Sequence, residues 1–244
     1  MPRRVIQFLC LAAALPWLAV GQGTAVEPAT GVAVAIVMDT SGSMRDRVQD
    51  ASGTPTAKHV IASRALTAVV DRLDQSIKAS PVDAPLRVET GLVVFDQNQA
   101  RWAIPFGSFD AVRFRNWTAR AQAPDGATPL GRATQLAANT VLASPCARKH
   151  VLVITDGENT VGPEPASLLP GLRRQAEQAQ AAVAFHFVAF DVDAKVFEPL
   201  KRFGTTLVGA ANEVQLNQQL QLILDRKILL EDEEPSTAPA AKTP

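Results

Sequence analysis

The chain reads as an α/β protein with a doubly wound, mostly parallel sheet, one antiparallel edge strand and helices on both faces. Three observations carry that reading. Short apolar segments alternate with amphipathic ones from Gly31 to Leu230, and such alternation builds a parallel sheet covered by helices. The first segment, Gly31 to Asp39, is continuously apolar and β-branched, as a central strand covered on both faces should be. Finally, the strands at Val88 to Asp96 and Ala100 to Ile104 are separated by only a few polar residues. So short a link permits a hairpin but not a parallel crossover.

After the first strand comes a polar run, Arg45 to Lys58, which reads equally as a small hairpin over the sheet edge or as a disordered insertion. Leu66, Val69, Val70, Leu73 and Ile77 then recur at helical spacing within Ala57 to Lys78, with Thr54 and Pro55 as cap and first turn. Pro105 is expected to end the edge strand. An irregular stretch leads to a helix at Leu130 to Ala143, a buried strand at His150 to Asp156 and a helix at Pro165 to Ala181. A strand at Val183 to Asp191, a helix near Ala194 to Arg202, a short strand at Thr206 to Val208 and an amphipathic helix from Glu213 to Leu230 complete the pattern.

The ends read differently from the middle. Arg3 and Arg4 precede an apolar run from Val5 to Val20 that is too short to span a bilayer and is interrupted by Pro16; small residues follow, so residues 1–25 are expected to be a signal peptide. Residues 26–230 would form the folded domain. Residues 231–244, acidic and then rich in Pro and Ala, would be a disordered tail. Without a second apolar span, a cleaved product would have no membrane anchor, and a secreted or periplasmic location is expected. Cleavage removes Cys10 and leaves Cys146 without an intramolecular partner, so no disulfide supports the fold; Cys146 reads as a small, half-buried thiol.

Lys plus Arg and Asp plus Glu are equal at 24 each, so no whole-chain field favours nucleic acid. Trp102 and Trp117 then read as packing residues rather than a base-stacking platform. His59, His150 and His186 fall on a helix or on strands. No nucleophile elbow, phosphate-cradling loop or dinucleotide fingerprint occurs.

In a doubly wound fold, ligands bind at the carboxyl ends of the strands. Asp39, Asp96, Asp156 and Asp191 each stand at such an end. Asp96 and Asp191 read as ordinary cap or turn residues. Asp39 differs, because Ser41 and Ser43 follow at two-residue spacing around Gly42, which suits a tight backbone path. Asp156 has Gly157 behind it, and Thr128 stands before a proline and a helix start. A set made only of oxygen donors selects a hard divalent cation, Mg²⁺ or Mn²⁺.

Asp39, Ser41, Ser43, Thr128 and Asp156, in this order and at these strand ends and loops, resemble the metal-ion-dependent adhesion site of the von Willebrand factor A domain family. The resemblance extends to the flavour of secreted bacterial members and covers about Val32 to Leu230. It implies the Rossmann-like fold of that family and a non-enzymatic module that binds a protein partner. The five residues would hold Mg²⁺ or Mn²⁺, and a partner's Asp or Glu carboxylate would complete the coordination. Two other readings stay open. A Mg²⁺-dependent phosphohydrolase would use Asp39 as nucleophile, but would want an acid where Ser41 stands. A scaffold could also keep these residues without binding through them.

Overall fold

The computed structural model describes residues 29–96, 98–120 and 123–230. The expected signal peptide (1–25) and tail (231–244) lie outside them. Strand β1 (Ala29–Met38) occupies the middle of the sheet, between β4 (Val88–Asp96) and β6 (Cys146–Thr155), and is parallel to both. Strands β7 (Ala184–Phe190) and β8 (Thr206–Ala210) continue the parallel set beyond β6. On the other side β5 (Gln99–Ser108) pairs antiparallel with β4 and forms the edge. The order among the described residues is β5-β4-β1-β6-β7-β8.

The pleat of β1 divides the core in two. Val32, Val34, Ile36 and Met38 face one side, where they pack under α1 (Lys58–Ala79), α2 (Ala111–Ala119) and α6 (Glu213–Ile223). Ala33, Ala35 and Val37 face the other, where Ala133, Ala137 and Ala138 of α3 (Leu130–Ala143) and Leu169 and Leu172 of α4 (Pro165–Gln178) cover them. Small residues on both partners bring α3 close to the strand whose end carries Asp39. Full burial on both faces explains why β1 shows no polar alternation.

Helix α1 buries Ile61, Ala62, Ala65, Leu66, Val69, Val70 and Leu73, a stripe at three- and four-residue spacing. It begins at Lys58, and Thr54 and Pro55 are not its cap. Pro55–Ala57 is β3, which pairs antiparallel with β2 (Arg47–Gln49), so the polar run is an ordered hairpin. Its turn is organised by Asp50. That carboxylate accepts hydrogen bonds from the Ser52 amide and hydroxyl, the Thr54 amide and the Thr56 hydroxyl, which hold its pKa well below the usual range. Glu213 accepts from the Ala51 amide at 2.9 Å and pairs with Arg64, which moors the hairpin to α6.

The stretch expected to be irregular contains α2, capped by Asp110, whose carboxylate accepts from the Val112 and Arg113 amides. Nor does Pro105 end β5: the strand runs on to Ser108 through two register shifts against β4. Gly91 permits that path, since a Cβ there would stand 2.8 Å from the Phe106 Cα and 2.7 Å from the Trp102 ring. The helix expected near 194–202 is a 3₁₀ turn, Ala194–Phe197, followed by the single turn α5 (Glu198–Lys201). The last helix changes after Ile223 into a π-helical turn, Leu224–Leu229. Cys146 is fully rather than half buried. No helix among the described residues is long and apolar enough to cross a membrane.

Candidate functional site

Because β1 and β6 are parallel neighbours, Asp39 and Asp156 leave the same sheet edge side by side. The Asp39 amide still donates to the Ile154 carbonyl at 2.9 Å, so its backbone is held in the ladder. Its buried carboxylate accepts from the Ser41 amide at 2.8 Å through Oδ1 and from the Thr155 hydroxyl at 2.6 Å through Oδ2. The chain then enters a 3₁₀ turn, Gly42–Arg45, pinned by the buried side chain of Met44. This turn sets the Ser41 and Ser43 hydroxyls 3.2 Å apart, and Ser43 donates to Asp156 Oδ1 at 2.8 Å. Gly42 does not adopt a left-handed conformation; its amide reaches the Gly126 carbonyl at 3.1 Å.

Thr128 comes to the site on its loop. Besides the bond from Gly42, the Asp125 amide donates to the Thr40 carbonyl at 3.0 Å, which docks the loop onto the Asp39–Ser43 segment. Behind it, the Thr128 amide donates to the Thr160 hydroxyl at 2.8 Å and the Thr160 amide to the Thr128 carbonyl at 3.0 Å. Asn159 Oδ1 caps the start of α3 by accepting from the Gly131 amide at 3.0 Å. Only glycine fits there, because a Cβ on residue 131 would lie 1.9 Å from the Pro163 carbonyl oxygen. Thr128 is buried, and among the described residues its hydroxyl makes no hydrogen bond to the other four. Four of the five sequence-derived residues are thus linked in a chain of hydrogen bonds, and the fifth stands on a loop docked to that segment through Asp125 and Gly126.

Burial drives the Asp39 pKa up to about 6, with the Asp156 charge adding to the rise and the Ser41 and Thr155 bonds opposing it. No cationic side chain pairs with Asp39 among the described residues. A buried carboxylate that lacks a cation, next to a second carboxylate and two hydroxyls, is a donor set that fits Mg²⁺ or Mn²⁺. No cluster of three or more His, Cys, Asp or Glu side chains suited to a metal occurs among the described residues. The fit therefore rests on hydroxyl donors around two acids.

Lys58 is the feature that the residue pattern did not disclose. Its ammonium lies 3.1 Å from Asp156 Oδ2 and 3.0 Å from Asp191 Oδ2, and its side chain is only 6% exposed. Burial pulls its pKa down, but the bonds and charges of Asp191 and Asp156 outweigh that and raise it. Asp191, expected to be a plain turn residue, does take a turn conformation, with φ of 55°, yet its carboxylate reaches into the site. The side chain of Asp96 lies outside the described residues. His59 bonds the Met44 carbonyl with Nδ1 at 3.1 Å, and His150 and His186 are buried against each other. Trp102 and Trp117 pack against the two halves of the core.

A family model described as von Willebrand factor type A domain matches residues 34–158, from the middle of β1 to just past Asp156. No curated protein matches the chain by sequence. Solved structures share the fold. A D319A mutant of the PilB minor pilin from Streptococcus sanguinis aligns with a TM-score of 0.61 and 16% identity, covering 81% of this chain and 61% of that one. An aerotolerance-related membrane protein from Bacteroides fragilis gives a TM-score of 0.57 and 16% identity over 80% of this chain and 98% of its own. The vWF domain of the type V pili tip protein Mfa5 from Porphyromonas gingivalis gives 0.58 and 13% over 81% and 95%. The chain thus spans about three fifths of the pilin's length and nearly all of the other two.

Proposed function

Since the chain belongs to the von Willebrand factor type A domain family, we propose that it is a non-enzymatic protein-binding module that captures a partner's Asp or Glu carboxylate at a divalent cation. Asp39, Ser41, Ser43, Thr128 and Asp156 would hold the ion. When bound, Mg²⁺ or Mn²⁺ supplies an electrophilic position that a carboxylate from outside can fill. The chain's own residues do the rest. Ser41, Ser43 and Thr128 offer neutral oxygens, which leave most of the ion's charge for the partner. Asp39 and Asp156, fixed by the two central strands, set where the ion sits.

The observation that carries this reading is the buried Asp39 carboxylate, with no cation of its own, in a turn whose Ser43 is exposed and bonded to Asp156. The structural likeness to a minor pilin and a pilus tip domain supports a role in adhesion or assembly outside the cytoplasm, in line with secretion or export to the periplasm. A phosphohydrolase based on Asp39 gains no support, because Ser41 occupies the position where it wants an acid and is engaged with Ser43.

Calorimetric titration with Mg²⁺ and Mn²⁺, and thermal melts with and without chelator, test the ion; binding should raise the melting temperature by mass action. Absence of binding at millimolar Mg²⁺ removes the metal from the account. For the partner, a pull-down from the native source in Mg²⁺ against chelator should show metal-dependent capture. Changing each acidic residue at the mapped interface to its amide should reveal one whose loss abolishes that capture.

A further inference from the structure

The site already contains a cation. Lys58 is the first residue of α1, where the helix dipole disfavours positive charge, and no acidic residue in the first turn offsets it. Its position is built rather than incidental. The β2–β3 hairpin ends at Ala57, and the Lys58 amide donates to the Asp46 carbonyl at 2.9 Å, which ties the helix start to the turn carrying Ser41 and Ser43. From there the side chain runs inward to Asp156.

The two oxygens of Asp156 are divided. Oδ1 accepts from Ser43, one of the five candidate ligands, at 2.8 Å, and Oδ2 accepts from the Lys58 ammonium at 3.1 Å. The same ammonium has a second carboxylate at 3.0 Å, that of Asp191 at the end of β7. Asp191 differs from Asp156 in being 40% exposed and in having no role among the five site residues. Its backbone is anchored, since its amide donates to the Ala210 carbonyl at 2.7 Å.

We propose that Lys58 is a resident rival cation of the metal site, bridging Asp156 and Asp191 when no metal is bound and withdrawing onto Asp191 when a divalent cation enters. This rests on the metal reading given above. The physics is that of like charges sharing one carboxylate: a dication that uses Asp156 repels an ammonium on the opposite oxygen, in a pocket where burial weakens screening. Asp191 keeps the ammonium paired with one carboxylate when Asp156 turns to the dication. The consequence is a metal affinity set below what the five ligands alone would give. Occupancy then responds to ambient metal, and to a partner whose carboxylate binds the ion but not the lysine.

The test is a double-mutant cycle read by Mg²⁺ titration calorimetry on the folded domain, with metal-free melts as the check of folding. Coupling between sites in one protein typically spans about 5- to 150-fold. Lys58→Met should therefore tighten Mg²⁺ binding by about ten-fold or more, while Lys58→Arg, which keeps the charge, should stay within about three-fold of wild type. Asp191→Asn should weaken binding by about five-fold or more in wild type, and by less than about three-fold once Lys58 is Met. Side-chain NMR of the wild type gives a reading that needs no charge-removing variant. The ammonium resonance missing in Lys58→Arg identifies Lys58, and it should shift as Mg²⁺ is added.

A wild type that binds Mg²⁺ while Lys58→Met binds no tighter overturns the rival cation and leaves the metal reading standing. So does a Lys58 resonance that stays still while the Ser41 and Ser43 amides shift. If neither wild type nor Lys58→Met binds Mg²⁺, both readings fall. Binding by Lys58→Met alone supports the rivalry in its strongest form.

Discussion

Two lysines are buried at opposite ends of the sheet, and they are held in opposite ways. At the carboxyl ends of the strands, Lys58 lies between two carboxylates, which raise its pKa. Toward the amino ends, Lys149 of β6 donates to the backbone carbonyls of Ser144 and Cys146, and burial lowers its pKa, with Cys146 and Glu89 only partly opposing. Glu89 itself is engaged by the Ser144 hydroxyl and Arg87. The amino-end lysine thus serves main-chain oxygens, and the carboxylate nearest it, Glu89, is engaged by other donors. The carboxyl-end lysine occupies groups that something else could use. Burial alone does not distinguish structure from function; the nature of the partner does.

The largest effect that separates the two ends is a pH dependence of opposite sign. Near the amino end, His150 and His186 are pushed down to about 3 and about 4, in each case mainly by burial, with the second imidazole and Arg148 adding for His150 and Lys227 for His186. Below the ordinary value of 6.5, the unfolded chain takes up protons that the folded imidazoles refuse, so acidification destabilises by about 1.4 kcal/mol per pH unit for each group. Asp39 acts the other way. Its folded carboxyl binds a proton near 6, whereas the unfolded one waits until 3.8, so acidification between these values stabilises the metal-free protein. The net expected loss from pH 7 to pH 5 in chelator is on the order of 3 kcal/mol. Urea unfolding at both values measures it, and His186→Leu should remove roughly half of the loss or more. An unchanged slope in that variant would take the histidines out of the account.

Next in size is Lys149→Met. It leaves the Ser144 and Cys146 carbonyls without their donor, and a loss of about 2 to 3 kcal/mol is expected, the same in Mg²⁺ and in chelator. Lys58→Met should cost less, about 1 to 2 kcal/mol in chelator, because Asp156 keeps its bond from Ser43. Saturating Mg²⁺ should return most of it. Equal behaviour of the two lysine variants in metal would erase the contrast between the ends. Smallest in stability is Thr128→Ala, expected to change unfolding by less than about 1 kcal/mol, since no large apolar group leaves the core. Its mark should instead be a weaker metal-dependent capture of the partner. If capture survives Thr128→Ala and chelator alike, another surface carries the interaction.

The parallel sheet was legible because β1, β6 and β7 are covered on both faces and so carry mostly apolar runs, and because the short link after Asp96 forced an antiparallel β5. Asp39, Ser41, Ser43 and Asp156 were legible because one turn and two adjacent strand ends set them together, and strand ends can be read locally. Lys58 was not, since its bond to Asp156 spans 98 residues and a lysine at a helix start reads as solvated. The Thr-Pro pair at 54–55 looks like a helix start, but Asp50 captures the Thr54 amide for the hairpin turn and delays the helix to Lys58. Helix α2 escaped because Phe114 is its one fully buried residue, too few for a periodic stripe. The Thr160 and Asn159 bonds that fix Thr128 and α3 were equally hidden, because their partners lie about thirty residues away on another loop.

The path of β5 bears on how molecules of this kind can associate. An exposed edge strand is a template for another chain, and long flat edges lead to fibres. Here the edge is broken: Pro105 lacks an amide to donate, and the two register shifts around Gly91 bend the strand. The opposite edge, β8, is five residues long and includes Gly209. Both flanks therefore resist strand addition, so neighbouring copies are kept from pairing edge to edge into a continuous sheet.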